Sequence, residues 1–546
     1  MISKDIASAI RQDHGIAVVL SATAQAFDHH TANVHDSNIG TGAITSLLHA
    51  LDHVSRKVRV SQSPLGSTNE AKTLLIAAAA AVSALEMTTT RCSSEVLEHF
   101  VRCNCNNLLP SLASSLSIFS AGDSESPVVR RCLLQKITNT IAVTFSVNLT
   151  DIEIHPQAVH QCCSALTIAL QNEGPGQIRR NCIAVLLNFS RSTDQARDNM
   201  LLSTGLLDTL ISLIRSDAIE CTSRGLENEI VSILLNLSVS GGDNMARNED
   251  LQLLLIDLMT ESSSSFIIST AALILQNVFQ SLENPTLFCS DDDLVTALVG
   301  GIDGGGTMGQ MTCVRLLERF LQNAIISKES TNQVDLVAAV SSLALEEEKT
   351  SNQHLGVSTG ASHLLPILSQ SFLFDGSSSS KKILNNLIDL SRSDYSSRHA
   401  AEAFLNLSRI PANKRFLASC ADNSLFSCLT SFALRDNTAH MTLETIYNLC
   451  NCSEGQRYAI RSDNRVSTLL LDIISGTIEV SDAAYAYSVK AIKCLASHPP
   501  NQKRLAKYRY VVPTLIALAA RSPCSPDTKE AAIEAIVLLS RTAILV

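Results

Sequence analysis

The most regular alternation of apolar and polar positions lies at Ala400-Ala401-Glu402-Ala403-Phe404-Leu405-Asn406-Leu407-Ser408. On a 3.6-residue wheel Ala400, Ala403, Phe404 and Leu407 share one face, while Glu402, Asn406 and Arg409 point away from it, so the spacing predicts an amphipathic helix. Its ending returns as Val147-Asn148-Leu149-Thr150, Leu187-Asn188-Phe189-Ser190, Leu235-Asn236-Leu237-Ser238, Gln276-Asn277-Val278-Phe279 and Tyr447-Asn448-Leu449-Cys450. Successive asparagines lie 40, 48, 41, 129 and 42 residues apart, and 129 is three steps of 43. A fixed period of this size carried by helices predicts an all-α solenoid.

A second pattern, Leu-x-x-Leu-x-x-Leu, precedes each Asn-bearing helix and is clearest at Leu206-Leu207-Asp208-Thr209-Leu210-Ile211-Ser212-Leu213-Ile214. Aligned on Leu210, its central positions are Leu47, Leu112, Leu166, Leu210, Leu255, Leu298, Val340, Leu387, Leu429, Leu470 and Leu515, which makes eleven units. The two longest steps, 65 and 54, fall at the start, where Ser55 to Asn69 and Ala121 to Pro127 read as inserted loops. Residues 1–150 therefore read as divergent N-terminal repeats with inserted loops, and residues 151–546 as regular ones. The regular region is degenerate around 350–380, where Gly356, Gly360, Pro366 and the Ser377 to Ser380 run predict a bent helix and a mobile loop. A third element opens the last units: Asn413-Lys414-Arg415-Phe416-Leu417, Gly455-Gln456-Arg457-Tyr458-Ala459-Ile460 and Asn501-Gln502-Lys503-Arg504-Leu505.

A short helix, a Leu-rich helix and a long helix closing on Asn-Leu-Ser, in about 42 residues, resemble armadillo repeats. The resemblance covers roughly residues 140 to 540 well and the first 140 poorly. It implies a right-handed superhelix whose third helices line a concave groove. By the same resemblance Asn188, Asn236, Asn277, Asn406 and Asn448 form a ladder that pairs with the backbone of an extended segment of a partner protein, since a primary amide both donates and accepts. Glu402 and Glu444, each one turn before its Asn, imply that this segment is basic. Nuclear-import receptors of the family pair such asparagines with a tryptophan array; this chain has no Trp, so that role does not carry over. Cys494 and Leu538 stand where the last two units would place Asn, which ends the ladder near Asn448.

Composition narrows the class. Hydrophobic residues make up 45% but aromatics only 4%, the apolar content of packed helices, and a net charge of −10 argues against nucleic acid as a partner. Sixteen cysteines in 546 residues are too sparse for a disulfide scaffold and read as small buried residues of a reducing compartment. The Asn-x-Ser/Thr endings are formal glycosylation sequons, and sugars at every repeat would block a helical surface, so a cytoplasmic or nuclear setting is expected. The N-terminus, with Lys4, Asp5, Arg11 and Asp13, shows no cleavable leader, Ile2 rules out myristoylation, and the apolar run from Leu74 to Leu85 is too short to span a bilayer.

Other chemistry is thinner. Gly304-Gly305-Gly306-Thr307-Met308-Gly309 satisfies a dinucleotide-type glycine pattern, but no alternating strand and helix pattern surrounds it and no fitting acidic residue follows. Cys103-Asn104-Cys105, Cys162-Cys163 and Cys450-Asn451-Cys452 lack the gap and second knuckle of a zinc site, and His29, His30 and His35 show no metal-binding spacing. Asp291-Asp292-Asp293 reads as a helix start and Glu346-Glu347-Glu348 as a solvated turn. Lys503, Arg504, Lys507 and Arg509, interleaved with Tyr508 and Tyr510, form one basic-aromatic patch that could meet phosphate or an acidic partner. No nucleophile motif, carboxylate pair, metal or cofactor is expected, and the chain reads as a non-enzymatic scaffold. The alternatives are a regulator gripping a folded partner such as a small GTPase or a chaperone and, remotely, a nucleotide-dependent enzyme using the Gly304 region.

Overall fold

The computed structural model describes residues 127–543, apart from short stretches between helices, together with scattered positions between 82 and 117. Asn148, Cys103, Cys105, the histidines at 29, 30 and 35, Glu346 to Glu348 and the inserted loop at 55–69 lie outside the described residues. Among the described residues every regular element is a helix and none is a strand. No helix among them is long and apolar enough to cross a membrane. The chain forms two compact units, Met1–Leu255 with Leu273–Asn284, and Ile256–Ala272 with Pro285–Val546.

In the first unit the Asn helices Pro127–Thr144, Gln177–Ser190 and Arg224–Ala246 stack in chain order, and the Leu helices Pro156–Asn172 and Leu206–Glu220 pack beside them. Local chemistry sets the helix starts. The Thr193 hydroxyl accepts the Ala196 N–H to open the short helix Asp194–Leu201, and His155 Nδ1 accepts the Gln157 N–H ahead of Pro156. Arg224–Ala246 joins an Asn helix to the next short helix through a kink at Gly241. A side chain there would drive its Cβ to 1.7 Å from Leu201 Cδ1, so the Leu201 side chain lies against the kink and would have to turn aside for one.

The second unit builds three parallel columns. Its Asn helices Gly306–Gln322, Leu355–Leu368, Ser397–Arg409, Ala439–Cys450, Asp482–Ala496 and Pro526–Ala543 pack each on the next. So do the Leu helices Asp291–Gly304, Gln333–Leu345, Ser378–Leu390, Ser424–Phe432, Arg465–Ile474 and Val511–Ala520, and the short helices Pro411–Cys420, Ser453–Arg461 and Pro499–Leu505. The predicted apolar face of Ser397–Arg409 is fully inside: Ala400, Ala403, Phe404 and Leu407 are at most 1% exposed. Ala401 and Leu405 are buried as well, because this helix is sandwiched between its neighbours in the column. Burying each large side chain contributes roughly 1.5–3 kcal/mol, which is what holds one repeat to the next.

Two irregular stretches have physical explanations. The glycine run is a close-packing device. Asp291–Gly304 is helical up to the run, so no strand leads into it, and Gly306 at φ +57° turns the chain into the following helix. A Cβ on Gly300 would meet Met259 O at 2.4 Å and one on Gly305 would meet Gly301 O at 2.5 Å, while the Ser269 hydroxyl donates to Gly305 O. The second stretch is 355–380. Helix Leu355–Leu368 carries Pro366 in its last turn, and the loop that follows, expected to be mobile, is tied down. Asn413, fully buried, accepts the Phe374 N–H at 2.9 Å and donates to Phe372 O at 2.7 Å, and the Phe374 ring stacks on Phe416 with centroids 4.5 Å apart.

Candidate functional site

The five asparagines named from the sequence occupy equivalent places near the ends of Asn helices, and each is half-buried. Their amide nitrogens face the preceding repeat. Asn236 Nδ2 donates to Ser190 Oγ at 3.0 Å, Asn277 to Ser238 Oγ at 2.9 Å and Asn448 to Ser408 Oγ at 3.1 Å. Each acceptor is the serine two residues after the previous repeat's asparagine. That hydroxyl spends its own proton on the carbonyl three residues back, Ser190 on Leu187, Ser238 on Leu235 and Ser408 on Leu405. The Asn-x-Ser ending is therefore a relay in which hydroxyl and amide each have a use inside the fold.

Two members adapt the relay. Asn188 donates directly to Phe145 O at 2.9 Å. Asn406 donates to Pro366 O at 2.8 Å and to Ser369 Oγ at 3.4 Å, and the Ser369 hydroxyl in turn donates to Pro366 O. Pro366, which supplies no N–H, thus gives its carbonyl to two donors. After Asn448 sulfur takes the relay's places, Cys450 in the serine position and Cys494 in the asparagine position, with no hydrogen bond between them among the described residues. Burial, and then the neighbouring Cys494, hold the Cys450 thiol well above its usual range. The amide oxygens of the five asparagines have no hydrogen-bond donor among the described residues, which leaves each an acceptor at a half-buried place.

The two glutamates differ. Glu444 is engaged: Arg409 brings both Nε and Nη2 onto its Oε1, at 3.0 and 2.8 Å. Burial, and then this carboxylate, raise the Tyr487 phenol. Tyr487 also tilts against Tyr447, with ring centroids 5.9 Å apart, and Lys490 lies over its ring. Glu402, by contrast, is half-buried with no bonded partner among the described residues. Another acid lies two turns before its asparagine, Asn236: burial raises the Glu229 carboxyl, opposed by Arg180 and Arg191. Arg191 and Arg409 each follow their asparagine by three residues, so the repeat carries its own cation for the next repeat's acid.

Other partner-forming residues were not singled out from the sequence. Asn501 Nδ2 donates to Gln456 O, as Asn413 does to Phe372 O, so the short-helix column has amide links of its own. Asn386 donates to Ser341 and Ser342 along the Leu-helix column. The signal was present as the Asn413 and Asn501 match between short helices, and it could have been read as a link. Cys162, Cys163, Cys182 and Cys313 are buried thiols, those of Cys162 and Cys313 pushed up to about 12 by burial, and no group of three metal-ligating side chains occurs among the described residues.

No protein-family model matches the sequence, and no curated protein does. Among solved structures the chain is similar to UNC-45 from Drosophila melanogaster at 12% identity, covering 98% of this chain and 95% of that one, with a TM-score of 0.41. It is similar to a chain from a study of the phosphorylation-controlled interaction between cadherin and β-catenin at 12% identity, covering 93% and 97%, TM-score 0.41. It is also similar to an engineered protein at 14% identity, covering 89% and 98%, TM-score 0.31. These likenesses add nothing to the geometry described above.

Proposed function

We propose that this chain is a non-enzymatic protein-interaction scaffold, a right-handed armadillo-like superhelix of about eleven repeats that binds an extended segment of a partner protein along its Asn helices. The observation that supports this is the unpaired amide oxygen of each half-buried asparagine, in consecutive repeats at Asn188, Asn236 and Asn277 and again at Asn406 and Asn448. An extended segment offers backbone N–H groups at regular intervals, and a row of acceptors whose own donors are committed to the fold receives them whatever the segment's side chains. Glu402 supplies the acidic contact for a basic segment, with Tyr447 and Tyr487 as an aromatic platform. Glu444 lies beside that platform and is neutralised by Arg409.

The test avoids the asparagines, because replacing them would break the relay. Affinity capture from native lysate is run with the intact protein and with a Glu402→Lys, Tyr447→Ala, Tyr487→Ala variant whose helix content matches by circular dichroism. Proteins retained by the first and lost by the second are expected. An identical set retained by both would remove this surface as the site.

A further inference from the structure

We propose that a pocket between the Leu helices Arg465–Ile474 and Val511–Ala520 is a binding site for a guanidinium group, the side chain of an arginine presented by a partner peptide. The pocket holds about 320 Å3 and is walled by Tyr508 and Tyr510, with Asp472, Ser475, Thr477 and Thr514 around it. It lies on the Leu-helix column and is separate from the Asn-helix surface above.

Its shape comes from a helix ending. Gly476, at φ +80°, closes Arg465–Ile474 with the Thr477 N–H donating to Asp472 O at 2.9 Å and the Gly476 N–H to Ile473 O at 3.0 Å. That turn fixes Ser475 and Thr477, whose hydroxyls bond each other at 2.9 Å. The tyrosines come from the opposite side. The turn after Pro499–Leu505, in which the Val511 N–H reaches Tyr508 O, brings Tyr508 and the largely exposed Tyr510 to the pocket's edge.

Three features of this wall favour a cation. Asp472 is half-buried, and its carboxylate has no bonded partner among the described residues. The carbonyl end of a helix places partial negative charge at the same spot. Two tyrosines and the hydroxyl-bearing Ser475, Thr477 and Thr514 share the pocket lining with the carboxylate, and an aromatic ring and hydroxyls both suit a flat cation. A planar guanidinium matches all three, since it stacks on an aromatic face while its forked N–H groups meet a carboxylate. Of the basic residues that mark this stretch in the sequence, Lys503, Arg504 and Lys507 do not line the pocket, and Arg509 lies outside the described residues. The patch that suggests phosphate in the sequence thus presents a cation site beside it.

The experiment titrates the full chain with the peptide acetyl-Gly-Arg-Gly-amide and follows tyrosine fluorescence and calorimetric heat, with two comparisons. One is the citrulline peptide, equal in shape and without charge. The other is the Asp472→Asn variant, which keeps the backbone carbonyl that closes the helix. Saturable binding of the arginine peptide is expected, at least tenfold weaker for citrulline and for the variant. The absence of saturable binding to the intact chain, equal binding of citrulline, or a response to inorganic phosphate that competes with the peptide would each overturn the proposal. Because the citrulline comparison uses the unmodified chain, a variant that fails to fold does not shield the idea.

Discussion

At the scale of single residues, the asparagine relay gives the most direct expectations. Asn236→Ala and Ser190→Ala should each destabilise the chain by about 1 kcal/mol, the net value of one such hydrogen bond, and the double variant should cost less than the two together. Chemical denaturation of the four proteins measures that coupling, and strict additivity would mean that the pair does not interact. Asp375 supplies a pH expectation. Hydrogen bonds from Ser377, and then from the Ser380 hydroxyl, lower its carboxyl to about 2. A depressed carboxyl adds stability that is complete above its ordinary pKa and is lost as pH falls through the folded value. The helix start at Ser378 should therefore hold from neutrality down to about pH 4 and loosen between about 4 and 2. Asp375→Asn should flatten that profile, read by an NMR pH titration of the Ser380 amide. Cysteine alkylation tests burial: iodoacetamide at neutral pH should label exposed Cys132 and spare Cys162, Cys163, Cys182, Cys313 and Cys450.

At the scale of elements, hydrophobic period was enough to place the long helices and their inward faces, because burial acts on every third or fourth position along one stretch. The wheel puts Asn406 off the apolar face, and the structure leaves it half-buried there. What the wheel could not reveal is its partner, Pro366 O, which belongs to a helix 40 residues earlier and is specified by packing between repeats. The glycine run shows the same limit. Its spacing resembles a nucleotide motif, yet its cause is close packing, of Gly305 on the preceding turn at Gly301 and of Gly309 on Ser269, which only a three-dimensional arrangement displays. Gly300→Ala and Gly305→Ala should each destabilise by about 1–3 kcal/mol, as overpacking does. Thermal unfolding measures it, and an unchanged midpoint would mean that the backbone at Met259, for Gly300, or at Gly301, for Gly305, yields at no cost. The tie at 372–374 was invisible for another reason: Pro, Gly and Ser composition records backbone freedom, while Asn413 and Phe416, which restrain the loop, come from the next repeat.

At the scale of the whole molecule, nearest-neighbour packing makes stability a property of interfaces. Ending the chain after Ala520 strips Pro526–Ala543 from Asp482–Ala496 and Val511–Ala520, which it packs against. That truncation should lower the unfolding temperature and raise binding of a hydrophobic dye more than one ending after Leu505, which removes a Leu helix together with its Asn helix. Equal effects would argue against repeat-wise assembly. Charge follows the same repeating logic in the Arg191 and Arg409 positions, which supply a cation to the next repeat's acid. The first residues of the chain show why legibility fades: their period stretches to 65 and 54 residues, and an alignment by spacing alone loses its register.

The relay has a consequence for how such an array can be edited. Each Asn-x-Ser ending is a plug and a socket at once, with the plug turned toward the preceding copy and the socket toward the following one. Of the described endings Asn236-Leu237-Ser238 uses both, its plug in Ser190 and its socket filled by Asn277, so a duplicate of that repeat would meet matching partners on either side. Phe279 and Cys450, which stand in the serine position after Asn277 and Asn448, each end a run of such joints, and a repeat transplanted behind either would arrive with a plug and no serine socket.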